Sequence, residues 1–146
     1  MSENYAIVLP IDFSELSMAA VPWAKRMAAV TQGTVHCVYT VEPPQVYSAL
    51  DMAPAIPLPT TDELSESAKQ QLEAFANEQL AGIDTDTAVL IGKPSEQIIE
   101  YASKVNAALI VMTTHGYSGL EHVVLGSTTE AVLRKATCPV LSIRNA

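Results

Sequence analysis

The amino-acid sequence predicts an α/β protein with a doubly wound, open sheet of five parallel strands and helices on both faces. Residues 5–11 and 107–112 are almost continuously apolar, as expected of strands that are covered on both faces. Segments with helical periodicity lie between these and three further apolar segments, so strands and helices alternate along the chain. With right-handed crossovers, this alternation fits the strand order 3-2-1-4-5.

The first third of the chain predicts a strand, a helix and a second strand. The first strand ends before Asp12, and Ser14 is positioned to cap the helix that follows. Pro22 predicts a bend within this helix, Gly33 ends it, and residues 35–41 form the second strand. Helical spacing assigns the helix an inward stripe of Leu16, Ala20, Trp23, Met27 and Val30.

The rest of the chain predicts a long loop and three more strands. Residues 42–60 contain five prolines and few charges, which is typical of a loop. A helix over 61–80, a strand over 85–91 and a helix that begins at Pro94 follow. After the fourth strand, residues 113–125 form a connection that contains glycine. Ser127 and Glu130 have capping-box spacing for the last helix, and residues 139–144 form the last strand.

Length and charge restrict the function classes. A chain of 146 residues with 49% hydrophobic content predicts one domain, residues 1–146. The net charge of −8, without a cluster of Lys and Arg, disfavours binding to nucleic acid and to anionic membranes. The sequence shows neither a membrane-spanning segment nor a signal peptide, and Cys37 and Cys138 lack CxxC spacing. We therefore expect a cytoplasmic protein with reduced thiols.

A ligand site is expected where the winding of the sheet reverses, outside the carboxyl ends of the strands. Residues 10–14 and 113–119 follow strands 1 and 4, which are neighbours in the predicted order. Gly116 and Gly119 would let the backbone approach a ligand closely. Gly126 and Ser127, at the start of the last helix, offer N–H groups and the positive end of a helix dipole, which suits phosphate.

Other interpretations of these residues stay open at this point. The sequence has neither a Walker loop nor a compact GxGxxG motif, and turn geometry and helix capping would also explain the glycines and Ser127. No nucleophile with an orienting acid can be assigned near His115. His36 and His122 show no pattern of metal ligands. We therefore assign no catalytic residue, and metal ligands stay unknown.

Five segments resemble the universal stress proteins in the order of that family and over essentially the whole chain. They are IVLPIDFS at 7–14, VLIGKP at 89–94, VMTTHGYSGL at 111–120, LGS at 125–127 and CPVL at 138–141. The ATP-binding branch of this family carries Gly, two residues, Gly, nine residues, Gly, and then Ser or Thr. Gly116, Gly126 and Ser127 match this motif, and Thr113 stands in place of its first glycine.

The resemblance implies which residues hold the nucleotide. Gly116, Gly126, Ser127 and Thr128 would contact the triphosphate, and Asp12 would lie beside the ribose and phosphates. Pro10, Ile11 and the backbone around Thr40 and Val41 would border adenine and ribose. The complete candidate set is Pro10, Ile11, Asp12, Thr40, Val41, Met112, Thr113, Gly116, Gly119, Gly126, Ser127 and Thr128.

The resemblance also implies a regulator of the stress response that binds ATP with Mg, with ADP or AMP as alternative ligands. Hydrolysis is expected to be slow or absent, because Asp12 and His115 are the only candidates to assist it and the connection 113–125 contains no arginine. The alternative is a dimeric interaction protein of the same fold that binds no nucleotide. An adenylyl-transfer enzyme is disfavoured, since neither an HxGH-like nor an SGGxDS-like segment is present. Family members pair through the last strand, so we expect a homodimer across residues 140–143.

Overall fold

A computed structural model describes residues 4–43, 59–114 and 125–144 of the chain. Within these ranges five strands alternate with four α-helices, and a short 3-10 turn, Ser17–Ala20, precedes the first helix. The elements are β1 Ala6–Pro10, α1 Val21–Thr31, β2 Thr34–Val41, α2 Thr61–Gln79, β3 Thr85–Ile91, α3 Pro94–Lys104, β4 Leu109–Thr113, α4 Ser127–Lys135 and β5 Val140–Ile143.

The five strands form one parallel sheet in the order β3-β2-β1-β4-β5. The predicted fold class and strand order are therefore confirmed. Because all strands run in the same direction, the carboxyl ends of the central strands β2, β1 and β4 meet at one edge of the sheet. This edge is also where the chain reverses its direction of winding, between β1 and β4.

The sheet separates two apolar layers. Along β1, Ile7 and Leu9 point to one face and Val8 points to the other, as the alternation of a strand requires. Helices α1 and α2 cover the first face, and α3 and α4 cover the second. The first cluster includes Ile7, Leu9, Ala24, Ala28, Val35, Cys37, Leu72 and Ala76, and the second includes Val8, Val38, Ile98, Ala102, Ile110 and Val132.

Helix α1 differs from its prediction at both Pro22 and the inward stripe. Pro22 is the second residue of the helix, where no intrahelical N–H bond is lost, so it marks the start of α1 and not a bend. Of the predicted inward stripe, Ala20 is buried and Met27 packs against the first cluster, but Trp23 and Val30 are exposed, by 40% and 81%. The buried residues within α1 are Val21, Ala24 and Ala28.

The end of α1 is closed by Gln32, which takes the left-handed conformation with φ 54°. A glycine is needed at position 33 for a different reason: the carbonyl oxygen of Tyr5 lies too close to leave room for a side chain. A Cβ atom on Gly33 would lie 2.3 Å from that oxygen. The same oxygen accepts a hydrogen bond of 2.9 Å from the Thr34 amide, which connects the beginnings of β1 and β2.

Helix α2 begins with a capping box that follows the predicted loop. Residues 44–58 of that loop lie outside the described residues. The Glu63 amide donates to Thr60 Oγ1 at 3.1 Å, and the Thr60 amide donates to Glu63 Oε2 at 3.2 Å. These two bonds satisfy amides that the helix itself leaves without acceptors. Among the described helices, none combines the length and apolar character that crossing a membrane requires.

Both cysteines are free thiols in the structure. Cys37 is fully buried in β2, and this burial raises the pKa of its thiol to about 12. Cys138 is half-buried beside the second cluster, and its pKa is also raised by burial. Cys37 is thus a core residue held in its neutral form.

Candidate functional site

A cavity of about 760 Å3 opens at the carboxyl edge of the sheet. The ends of β1, β2 and β4 form its floor, and the N-terminal parts of α2, α3 and α4 form its walls. All ten described candidate residues line it: Pro10, Ile11, Asp12, Thr40, Val41, Met112, Thr113, Gly126, Ser127 and Thr128. The other two candidates, Gly116 and Gly119, lie outside the described residues, as does His115.

Asp12 lies just beyond the end of β1, in a turn closed by its own carboxylate. Asp12 Oδ1 accepts hydrogen bonds from the Ser14 amide, at 2.9 Å, and from the Ser14 hydroxyl. The Ser14 hydroxyl oxygen in turn accepts the Ser17 amide at 3.2 Å. These bonds fix the direction of the Asp12 carboxylate at the cavity. The predicted helix cap at Ser14 is wrong, because the N-caps of the 3-10 turn and of α1 are Leu16 and Ala20, and neither makes a side-chain capping bond.

Phe13 holds the same turn from the side of the core. Its φ of 62° is unusual for a bulky residue and carries a steric cost of roughly 1–2 kcal/mol. The Phe13 ring packs 4.8 Å from the ring of Tyr39 and 6.2 Å from the ring of Phe75, measured between centroids. Aromatic packing therefore compensates for a strained backbone directly beside Asp12.

The start of α4 forms the opposite side of the site. Gly126 is the N-cap, with an extended backbone at φ −67° and ψ 152°, and no side chain caps the helix. The predicted capping box of Ser127 and Glu130 is therefore wrong: Ser127 is the first helical residue, and the Glu130 carboxylate pairs with Arg134 at 2.6 Å. The amides of the first turn have no acceptors within the helix, and they lie at its positive end.

Thr113 belongs to strand β4 and not to the connection that follows it. Its backbone is extended, so its β-branched side chain needs no left-handed conformation, and the residue is buried. Two hydrogen bonds join this strand end to α4: the Thr129 hydroxyl donates to the Thr113 carbonyl at 2.8 Å, and the Gly126 amide donates to the Thr114 carbonyl at 2.7 Å. The end of β4 therefore fixes the position of the α4 terminus.

The charges that line the cavity are acidic. Asp12 and Glu42 contribute carboxylates, and the described lining residues include no Lys, Arg or His. Within the described parts of the chain, no three His, Cys, Asp or Glu residues are grouped closely enough to hold a metal ion. His36 is not among the residues that line the cavity, and its Nδ1 atom lies 3.0 Å from the Tyr101 hydroxyl oxygen.

The sequence analysis missed the contribution of two helices to this cavity. Pro94 and Ile98 of α3 supply apolar surface on one side. Helix α2 supplies a continuous stripe with the spacing i, i+3, i+4 and i+7: Leu64, Ser67, Ala68 and Gln71. The spacing is visible in the sequence, but that α2 leans over the strand ends is a tertiary property.

Comparison with known proteins connects this chain to a family. The family model described as "Universal stress protein family" matches residues 4–144. The chain is similar to universal stress protein MJ0531 of Methanocaldococcus jannaschii, with 33% identity over 94% of this chain and 81% of the relative. It is also similar to universal stress protein YxiE of Bacillus subtilis, with 30% identity over 94% of this chain and 97% of the relative.

Solved structures agree with this assignment. The structure of MJ0577 from M. jannaschii superposes with a TM-score of 0.81 and 25% identity, over 98% of this chain and 97% of that one. A universal stress protein in complex with cAMP superposes at 0.71 with 22% identity, over 99% and 100% of the two chains. One from Archaeoglobus fulgidus in complex with dAMP superposes at 0.65 with 18% identity, over 98% and 99%. On the family match and the sequence relatives, the chain belongs to the universal stress protein family.

Proposed function

We propose that the cavity binds ATP together with Mg, and that the chain acts as a nucleotide-dependent regulator in the stress response. One observation carries this proposal: the first turn of α4 and the carboxylate of Asp12 open onto the same cavity at the strand ends. Helix amides without internal acceptors favour phosphate groups. The cavity volume of about 760 Å3 also lies within the range that small-molecule ligands occupy.

The acidic lining supports a bound cation. A triphosphate beside Asp12 and Glu42 would meet like charge, since no basic side chain is among the described lining residues. Mg binds proteins through one or two carboxylates together with the phosphates of its substrate. Asp12 fits this role because its Oδ1 atom already accepts two hydrogen bonds, which hold the carboxylate in place. A bound Mg ion would supply charge compensation that the described lining side chains do not.

The ligands of two structural relatives support an adenine nucleotide. These relatives, of the same fold, were solved with cAMP and with dAMP. ATP is our preferred ligand because a phosphate chain could reach the α4 terminus, and ADP and AMP are the alternatives. We place the nucleotide against the residues named from sequence, with adenine and ribose near Pro10, Ile11, Thr40 and Val41. Gly116 and Gly119 remain part of the proposed phosphate site.

Slow hydrolysis, or none, is part of the same proposal. Efficient transfer of the γ-phosphoryl group requires a positioned water and positive charge to stabilise the transition state. The described lining offers the carboxylates of Asp12 and Glu42 and no arginine or lysine. This composition is suited to holding a nucleotide in place, and not to rapid turnover.

We further propose that the chain is a single cytoplasmic domain that forms a homodimer through β5. The four residues of β5 are half-buried, and the strand lies at one edge of the sheet. The Ile110 amide donates to the carbonyl of Pro139, just before β5, at 3.0 Å, and the Thr114 amide, just after β4, donates to the Ile143 carbonyl at 2.9 Å. Since backbone groups alternate in direction along a strand, the Ser142 backbone points to the open edge. Leu141 and Ile143 pack against the first core cluster, so pairing would rest mainly on backbone groups at this edge.

The nucleotide proposal is tested by calorimetric titration with MgATP and by the melting temperature in its presence. A ligand that binds only the folded state raises stability with the logarithm of its concentration. We expect saturable binding and a higher melting temperature. Asp12→Ala should weaken binding while circular dichroism stays unchanged.

Glu66→Ala is the matched control, because it also removes one carboxylate but from an exposed position outside the cavity lining. It should bind MgATP like the unmodified protein. If saturating ATP, ADP and AMP all leave the melting temperature unchanged, the nucleotide proposal fails and the dimeric interaction protein becomes the better interpretation. Equal binding by the Asp12→Ala variant would remove Asp12 from the site.

A further inference from the structure

Helix α2 presents two polar side chains to a cavity wall that is otherwise apolar. Leu64, Ser67, Ala68 and Gln71 line the cavity from one face of the helix, and Ser67 and Gln71 are its hydrogen-bonding members. Both are exposed in the described structure, so their polar groups are accessible to a ligand. Gln70, next in the chain, is exposed as well but does not line the cavity.

The backbone of this wall is held firmly in place. The capping box of Thr60 and Glu63 fixes the first turn of α2. Ala68 and Leu72, which flank Gln71 on the inner face, are 6% and 0% exposed and pack against the sheet. Gln71 therefore lines the cavity from a backbone position that its buried neighbours hold in place, as a residue that selects a ligand requires.

The α2 wall lies opposite the α4 terminus. Helix α4 covers one face of the sheet and α2 covers the other, and the cavity runs between them over the strand ends. A ligand whose phosphates contact α4 would direct its remaining part away from that helix. The α3 wall offers only Pro94 and Ile98, which can pack against a ring but cannot distinguish its polar edge.

We propose, building on the nucleotide site above, that Gln71 with Ser67 reads the N6–N7 edge of the base and makes the site prefer adenine over guanine. A carboxamide carries both a donor and an acceptor, which match the N7 acceptor and the N6 amino donor of adenine. Guanine presents two acceptors at the same edge, N7 and O6, so its O6 atom would face the carboxamide oxygen.

The test compares the dissociation constants of MgATP and MgGTP for the unmodified protein, Gln71→Leu and Gln70→Leu, measured by calorimetric titration. The two variants make the same chemical change at adjacent exposed positions of α2. We expect the unmodified protein and Gln70→Leu to prefer ATP equally. Gln71→Leu should reduce the ratio of the two constants about tenfold, the usual size of a lost bidentate contact. Ser67→Ala should reduce it less.

The outcomes separate this inference from the proposal on which it rests. If the unmodified protein binds ATP but the ratio is the same in both leucine variants, Gln71 does not read the base, although the nucleotide site stands. Equal affinity of the unmodified protein for ATP and GTP also refutes the inference and leaves the site. If neither nucleotide binds to the unmodified protein, the proposed function is wrong and the inference is wrong with it.

Discussion

The contact between Gly33 and Tyr5 predicts that Gly33→Ala is strongly destabilising. The added Cβ would lie 2.3 Å from the Tyr5 carbonyl oxygen, about 1 Å closer than the 3.4 Å at which ordinary contacts begin. Relief requires movement of the backbone at the start of β1 or β2, since the contacted atom belongs to the main chain. The Thr31 hydroxyl oxygen would lie 2.9 Å from the same Cβ, so the added methyl group would be crowded by a second neighbour.

Two terms contribute to the expected cost. Overpacking of this kind costs roughly 1–3 kcal/mol. Distorting the 2.9 Å bond between the Thr34 amide and the Tyr5 carbonyl adds about 1 kcal/mol. We therefore expect Gly33→Ala to lower the free energy of unfolding by roughly 2–4 kcal/mol. This is a large fraction of the stability of an ordinary domain.

Gly82→Ala is the matched comparison, because an added Cβ there meets no atom within 4 Å. Its cost is that of a left-handed φ of 81°, about 1 kcal/mol. Urea denaturation gives both free energies from the midpoint and the slope of the transition. If Gly33→Ala costs no more than Gly82→Ala, the close approach is relieved freely and the reasoning from this contact is wrong.

Three further predictions concern the phosphate site, the core and the sheet edge. Gly126→Val should raise the dissociation constant of MgATP at least tenfold by obstructing the α4 amides. The backbone at Gly126, with φ −67° and ψ 152°, suits valine, so the melting temperature without ligand should stay unchanged. If the affinity is unchanged as well, the phosphates bind elsewhere. Between about pH 9 and pH 12 the Cys37 thiol ionises in the unfolded chain but not in the folded one, because burial raises its pKa to about 12. In this range the unfolding free energy of the unmodified protein should fall by about 1.4 kcal/mol per pH unit more than that of Cys37→Ala. Equal pH dependence of the two proteins would contradict this. Ser142→Pro should weaken the proposed homodimer in sedimentation velocity, because the lost amide points away from β4; a dimer of unchanged affinity would exclude β5 as the interface.

The sheet was predictable because its strands are short, apolar and separated by clear turn signals. The segment 85–91 was predicted with the bounds that β3 has in the structure, and α3 begins at Pro94 as expected. The end of β4 was less clear. Thr113 extends the strand because its backbone pairs beside β5 in register with Ile143, which is a contact between residues far apart in the chain.

Helix α1 shows why periodicity alone was insufficient there. The spacing of large apolar residues selected Trp23 and Val30 as core residues, yet alanines occupy the buried face. The residues that α1 buries against the sheet are Val21, Ala24 and Ala28, and periodicity of large side chains does not identify alanines as core residues. Trp23 instead lies at the surface with the Arg26 guanidinium 4.9 Å from its ring centroid.

The candidate site was predictable in its floor and not in its walls. Strand ends can be assigned from the sequence, so the cavity brings together Asp12, Thr40 and Met112 as expected from the strand order. The helix start at Gly126 was misread by one residue because Ser127 and Glu130 have the spacing of a capping box. Gln71 was not identified, since nothing local to α2 shows that its first turns face the strand ends.

The hydrogen bond between Gly126 and Thr114 has a consequence for how this protein can vary. The chain leaves β4 at Thr114, and the Gly126 amide donates to the Thr114 carbonyl at 2.7 Å, so this bond joins the two ends of the intervening segment. Doubling the length of such a segment costs only about 0.6 kcal/mol of closure entropy. A longer segment between residues 114 and 126 that keeps this bond would therefore add little closure entropy to the cost of folding the sheet.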